Sequence, residues 1–415
     1  MNASNGRRLN LVPQAGQAGY EPMNRASSGR RTADGSAPSS TTRDLRIDFF
    51  RGLALWMIFA DHISGNFWRG FTYRNLGLSD AAEIFIFLSG LACAIAYGGV
   101  LRRDGWAAAE ARTLRRALRI YAGYVAASAA FFAIALASTP LLPADGITIL
   151  DLPPLLRDPR GAALAALDFR FTPYTLMVLP VYIVLVPLAV PVLVALRRRP
   201  LPILAASLAL WLATQAVPSF NLPSLLEGGV WPMNPFAWQL LFVIGLVVGW
   251  RFYHSGDVFV ASRRLFWIAA VAVASGFGFR VLHAASFHLG WHAPVLGDLY
   301  DAALGDTAKT NLQALRLLHF LAVAYLVAAF VAPREAAFAG AWARPLVVCG
   351  QHSLEVFCIS VVLNLLASVW MMVAAPPKLL QLALTLVGCL TLWLSALLFA
   401  RRRRRTPMPT SISPA

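Results

Sequence analysis

The chain has 415 residues, of which 58% are apolar and only 13% charged, and its mean hydropathy is +0.60. Soluble globular proteins carry roughly 25% charged residues, so this composition excludes an ordinary soluble enzyme. The net charge of +16 comes from basic residues that punctuate apolar runs, a pattern of membrane topology rather than of nucleic-acid binding.

Residues 1–44 are rich in Gly, Ser, Ala, Asn and Arg and show no apolar period. They predict a disordered cytoplasmic tail with no signal-peptide core, so the first apolar run is expected to serve as the insertion signal. Ten apolar runs follow, each long enough or nearly so to cross a bilayer, which takes about 20 residues. Their approximate limits are 47–65, 80–100, 116–137, 174–196, 200–217, 235–251, 265–284, 313–332, 346–371 and 379–400. Backbone groups in hydrocarbon must pair internally, so the runs predict helices. The expected fold is an all-α polytopic membrane protein with about ten transmembrane helices, spanning 45–400, and a basic cytoplasmic tail at 401–415. Most of the 36 Lys and Arg residues fall on alternate connections, Arg197 to Arg199 among them. That asymmetry predicts both termini on the cytoplasmic side. The longer outer connections, 138–172 and 285–311, are either the rim of an entrance or simple solvated links. No Gly-x-x-x-Gly pair and no internal repeat stands out. Cys93, Cys349, Cys358 and Cys389 lie in apolar runs without metal-ligand spacing and read as core or lipid-side residues. No metal and no tightly bound cofactor is expected.

Ionisable residues inside membrane spans are costly and mark pathways or sites. Arg51 and His62 in the first run are eleven residues apart, which places both on one helix face about 16 Å apart along the axis. A cation near one mouth and an imidazole deep in the span suit a site crossing the membrane; a snorkelling Arg and a His bonded to a backbone carbonyl is the plainer alternative. Asp61 points about 100° away from His62 on an ideal helix. Asp48, one turn before Arg51, is expected to pair with it. In the second run Ser79 is the expected cap and Asp80 suits the helix dipole. Glu83, one turn deeper, is expected either to orient His62 or to pair with Arg69 or Arg74. His352 and Glu355, three apart, are expected to share a helix face and line the cytoplasmic half of a cavity, or to satisfy each other. The pairs Arg280 with His283 and Arg316 with His319 suggest an anion or a neutral imidazole. His288 and His292 are a weak metal pair. No nucleophile elbow, Walker loop or dinucleotide fingerprint is present, so the inventory favours a histidine general base in a membrane cavity.

Arg51 and His62 match the Arg-x10-His pattern of membrane acyltransferases of the acyltransferase-3 superfamily. The surrounding text is more specific. Arg43-Asp44-Leu45-Arg46-Ile47-Asp48-Phe49-Phe50-Arg51-Gly52-Leu53-Ala54-Leu55 resembles the opening of the OpgC family, and so does Phe71-Thr72-Tyr73-Arg74-Asn75-Leu76-Gly77-Leu78-Ser79-Asp80-Ala81-Ala82-Glu83-Ile84-Phe85. Further matching blocks are Asn234-Pro235-Phe236-Ala237-Trp238-Gln239-Leu240-Leu241-Phe242 and Gly350-Gln351-His352-Ser353-Leu354-Glu355-Val356-Phe357.

The resemblance implies an inner-membrane O-acyltransferase that moves an acyl group, succinyl from succinyl-CoA first, to hydroxyls of osmoregulated periplasmic glucans. It implies His62 as catalytic base and Arg51 in binding the acyl-CoA donor. Glu83 is the expected second catalytic group, and Asp61, Arg69, Arg74, His352 and Glu355 are expected cavity-lining residues. Trp68, Arg69 and Arg74 are candidates for the oxyanion donor. The expected partners are the glucan acceptor, acyl-CoA and the lipid bilayer, with no nucleic acid. Two other readings remain open: an O-acetyltransferase acting on another cell-surface glycan, and a transporter or flippase of glycan or acyl donor that makes no bonds.

Overall fold

The computed structural model describes residues 8–9, 44–226, 228–254, 259–289 and 294–405. Most of the expected N-terminal tail, residues 406–415 and His292 lie outside the described residues. The main helices are α1 (Leu45–His62), α2 (Ala81–Arg103), α3 (Gly105–Ser138), α4 (Val178–Arg198), α5 (Pro200–Ala216), α6 (Pro235–His254), α7 (Arg263–His288), α8 (Ala314–Val331), α9 (Arg344–Gln351), α10 (Ser353–Ala374) and α11 (Lys378–Arg405). A two-residue antiparallel ladder pairs Arg8–Leu9 with Phe259–Val260.

The protein is an all-α polytopic membrane protein. Among the described residues eight helices, α2, α3, α4, α6, α7, α8, α10 and α11, are long and apolar enough to cross a membrane. Two further apolar runs correspond to α1 and α5. The 18-residue α1 carries four charged groups, Arg46, Asp48, Arg51 and Asp61, and α5 has 17 residues.

The expected run 346–371 is not one helix. It breaks at His352, whose φ of −116° and ψ of 36° leave the helical region. The apolar text continues through the break, so hydropathy alone does not reveal it. The break lies two residues beyond a close crossing. Gly52 of α1 packs on the Leu346 carbonyl and Gly350 of α9 on the Asp48 carbonyl, each so closely that a Cβ would overlap the oxygen.

A second close crossing joins α2 to α6. Gly245 and Gly249 of α6 lie on the carbonyls of Phe87 and Leu91, and Gly90 of α2 lies on that of Phe242. Small residues let membrane helices approach at backbone distance. Gly245-x-x-x-Gly249 is therefore a packing motif, which the sequence reading did not single out. These two crossings set the positions of α1 and α2, the helices that carry His62, Arg51 and Glu83.

Asp80, not Ser79, caps α2. Its carboxylate accepts from the Ala82 amide at 2.8 Å, and Glu83 reaches back to the Asp80 amide at 2.8 Å, a reciprocal capping box. Ser79 instead bonds the His319 imidazole at Nδ1, 2.8 Å away.

The connection from α3 to α4 folds into short helices at Ala144–Ile149, Pro153–Arg157 and Pro159–Leu167. It is anchored by buried Leu152, Leu155 and Phe171. The connection from α7 to α8 contains helices Pro294–Leu304 and Asp306–Thr310. Both connections end at the His62 end of α1.

Candidate active site

His62 is the last residue of α1, where the final carbonyls have no helical amide to bond. Its Nδ1 lies 2.7 Å from the Ile58 carbonyl oxygen. A carbonyl only accepts, so Nδ1 carries the proton in the neutral ring and Nε2 carries the lone pair. The imidazole lines a cavity of about 30 Å³, together with Asp61, Arg74, Asp80, Tyr174, Lys309 and Phe357 among others. That is room for about one water molecule. The Tyr174 ring is 5.6 Å from the imidazole, centroid to centroid. Asp61 accepts from the Thr72 hydroxyl and makes no bond to His62, in keeping with its different direction on the helix.

Behind the cavity is a buried ion cluster. Arg316 of α8 donates to Glu83 through Nε at 2.9 Å and Nη2 at 2.6 Å, and to Asp80 through Nη2 at 3.2 Å. Lys309 Nζ lies 3.0 Å from Asp80 and 3.2 Å from the Tyr174 hydroxyl. Burial alone would push the Asp80 carboxyl up, but Lys309 and Arg316 outweigh it and hold Asp80 well below the usual carboxylate range. For Lys309 burial favours the neutral amine, and Asp80 reverses this and keeps its pKa raised. Glu83 is fully buried. Its partner is neither His62 nor Arg69 nor Arg74 but Arg316, 233 residues away in the chain. The expected catalytic carboxylate is thus one arm of a buried ion cluster.

Arg74 faces the same cavity. Its loop is pinned by Arg280, which donates to the Arg74 carbonyl at 2.7 Å and to Asn75 Oδ1 at 2.8 Å. His283 stacks on Tyr300 with centroids 3.8 Å apart. Neither the Arg280 pair nor the Arg316 pair is arranged around an open anion site: Arg280 holds the Arg74 carbonyl and the Asn75 side chain, and Arg316 is taken up by the protein's own Glu83 and Asp80 carboxylates.

A second cavity, also about 30 Å³, lies toward the other end of α1. Arg51, Ser89, Arg116, Tyr182 and Phe357 help to line it. Arg51 Nη2 is 3.5 Å from Ser89 Oγ, which is 2.5 Å from the Tyr182 hydroxyl; that hydroxyl donates to the Phe85 carbonyl at 2.6 Å. Arg51 Nε is buried with no hydrogen-bond partner. The expected pairing of Arg51 with Asp48 does not form, because Arg51 turns toward α2 and α4. Phe357 of α10 lines both cavities. Arg51 and His62 therefore look out from the same side of α1, on either side of one phenyl ring.

Residues 43–404 match the family described as OpgC protein. The chain belongs to the OpgC family. No curated protein and no solved structure matches it. Membership in the OpgC family supports an acyltransferase role in glucan modification and, with the apolar helices, a multi-pass bacterial membrane protein that meets a glucan and a lipid bilayer.

The other expected residues of this OpgC-family chain lie apart from the two cavities. Arg69 is exposed on the turn Phe67–Phe71. Trp68 donates its indole N–H to the Lys378 carbonyl at 2.8 Å, away from His62. His352 sits at the break between α9 and α10 and stacks near Phe399, centroids 6.4 Å apart. It therefore shares no continuous helix face with Glu355. Their neighbours Ser353, Leu354 and Phe357 face the Arg51 cavity instead.

Sequence reading missed Lys309, Tyr174, Ser89, Tyr182 and Arg116. One signal was available for Lys309: the chain uses Arg for nearly all its cations and has only two lysines, Lys309 and Lys378. The others reach the cavities from distant segments, and no spacing within the chain reports that.

Proposed function

We propose that this chain is an inner-membrane O-acyltransferase that transfers an acyl group, succinyl from succinyl-CoA, to hydroxyls of osmoregulated periplasmic glucans. The observation that carries the reading is the His62 imidazole. The bond from its Nδ1 to the Ile58 carbonyl leaves the Nε2 lone pair for a cavity that two cations, Arg74 and Lys309, also face.

In this reading a glucan hydroxyl donates its proton to His62 Nε2 as its oxygen attacks the thioester carbonyl. The carbonyl oxygen gains negative charge, which the Arg74 guanidinium and the Lys309 ammonium stabilise. The C–S bond then breaks, and the CoA sulfur leaves as the thiol after taking the proton from His62. The neutral imidazole is restored and the acyl ester remains on the glucan. The Arg51 cavity, with Arg116, Ser89 and Tyr182, takes the donor from the cytoplasmic side, with both chain termini on that side. Each cavity is too small for a substrate in this state. Entry therefore requires movement of the two connections that present Tyr174 and Lys309.

The test is acyl transfer from radiolabelled succinyl-CoA to glucan by the purified full chain in lipid nanodiscs. His62→Ala is expected to lower transfer by about 10²- to 10⁴-fold, the usual worth of a general base, with the melting temperature retained. Arg51→Gln is expected to raise the KM for succinyl-CoA more than it lowers kcat. A His62→Ala protein that transfers at the parent rate would remove the imidazole from the mechanism.

A further inference from the structure

A different face of α1 opens on a third space, separate from the two polar cavities. It has a volume of about 510 Å³ and lies between α1, α2 and α6 on one side and α8 on the other. No residue that lines it lines the His62 or Arg51 cavity. Its α8 wall includes the stripe Phe320, Ala324, Val327, Ala328 and Val331, the spacing of one helix face. From Phe320 to Val331 the stripe rises eleven steps, about 16 Å at roughly 1.5 Å per residue. The length is about half of a hydrocarbon core of roughly 30 Å, the depth of one leaflet.

Apart from Tyr325 of α8, whose hydroxyl is bonded to the Ser262 backbone at 2.8 and 3.2 Å, polar groups occur only toward its ends. Asp44, Arg46 and Tyr253 lie at one end and Tyr73 at the other. Arg46 is bound to Asp44 through Nε at 2.9 Å and Nη2 at 2.7 Å, and Tyr253 also bonds Asp44. The walls between are otherwise carbon. α8 stands away from the bundle: every residue from Leu321 to Ala329 is only half-buried. An apolar space of this size gives water no partners, and left empty it forfeits dispersion contacts along its whole lining. A glucan or a CoA nucleotide would bury hydroxyls and phosphates against carbon without hydrogen bonds. At this depth the surrounding solvent is lipid.

We propose that this groove is a binding site for one acyl chain of a membrane phospholipid, with the Asp44–Arg46 end at headgroup depth. The chain wedges between α8 and the α1–α2–α6 group and completes the packing of α8, the helix that holds Arg316 against Glu83 and Asp80. The proposal does not depend on the acyltransferase reading.

The test is photolabelling of the full chain in nanodiscs with a phosphatidylethanolamine that carries a mid-chain diazirine, mapped by peptide mass spectrometry. Residues Leu88, Leu91, Ala324 and Ala328 are expected to be labelled several-fold more densely than Leu386, Leu390 and Leu394, which are exposed on α11. Ala324→Phe and Ala328→Phe fill the groove and should lower its labelling while that of α11 is unchanged. If either variant fails to fold, the labelling ratio in the parent chain decides alone. Equal labelling of the groove and α11 would overturn the proposal. So would an unlabelled groove that becomes labelled when residues 1–40 are deleted, which would assign the space to the chain's own N-terminal segment.

Discussion

At the scale of single residues, Glu83 and His62 lie close in the chain but do different work. Glu83 is fully buried against Arg316, so its loss leaves a buried guanidinium short of a partner. Removing one member of a buried ion pair typically costs about 3–5 kcal/mol. Arg316→Met should therefore destabilise the fold by that order, measured as a lowered midpoint of thermal unfolding in detergent. Glu83→Gln should lose activity together with stability; a Glu83→Gln protein of unchanged melting temperature but abolished transfer would instead make Glu83 catalytic. Asp80 and Lys309 give a pH prediction. Asp80 is held below its unfolded pKa of about 3.9, so its contribution is full above that value and is lost as pH falls through the folded pKa. Lys309 is raised above its unfolded value of about 10.4, so its contribution is full below that value and is lost as pH rises through the folded pKa. The pair stabilises the fold across the neutral range. Lys309→Met should lower the unfolding temperature at pH 7 more than at pH 3, and an equal loss at both would contradict the ion pair. The sequence exposed part of this. Helical periodicity put Arg51 and His62 on one face, and Phe357 between their cavities agrees. It did not expose the Arg316–Glu83 pair, because nothing local to either residue encodes a partner 233 residues away.

At the scale of elements, the site is positioned by backbone-to-backbone crossings. Gly350 lies on the Asp48 carbonyl and Gly52 on the Leu346 carbonyl, so a side chain at either position must push α9 off α1. Overpacking costs typically about 1–3 kcal/mol and more where backbone must move. Gly350→Val should therefore cost at least about that much and lower acyl transfer through displaced His62. Gly70→Ala is the control, since nothing lies within 4 Å of a Cβ there; equal losses of stability in the two variants would refute the crossing. Hydropathy marked where apolar helices lie, because length and composition are local properties. It did not show the break at His352, since Val347, Val348, Leu354 and Val356 keep the text apolar on both sides. The helix start at Ser79-Asp80 was legible, but the cap is Asp80 and not Ser79, and Glu83 closes a capping box that the sequence reading did not single out. Gly245-x-x-x-Gly249 was present in the text, but its meaning depends on Phe87 and Leu91 of another helix.

At the scale of the whole molecule, α1 carries two polar cavities on one side and an apolar groove on another. The two long connections each bring one residue, Tyr174 and Lys309, to the His62 end. Phe357 stands between the Arg51 cavity and the His62 cavity; under the proposed function the first takes the donor and the second the acceptor. A chain of the OpgC family built this way is expected to join substrates from opposite sides of the membrane at one imidazole. The most direct measurement is mass spectrometry of periplasmic glucans from a glucan-producing strain that lacks acyl substituents of its own. The parent chain and its His62→Ala form are expressed there at equal levels in the membrane. The account predicts a succinyl mass increment on glucans from cells with the parent chain and none from cells with His62→Ala. Unmodified glucans from cells carrying the correctly inserted parent chain, or equal succinylation by both forms, would contradict it.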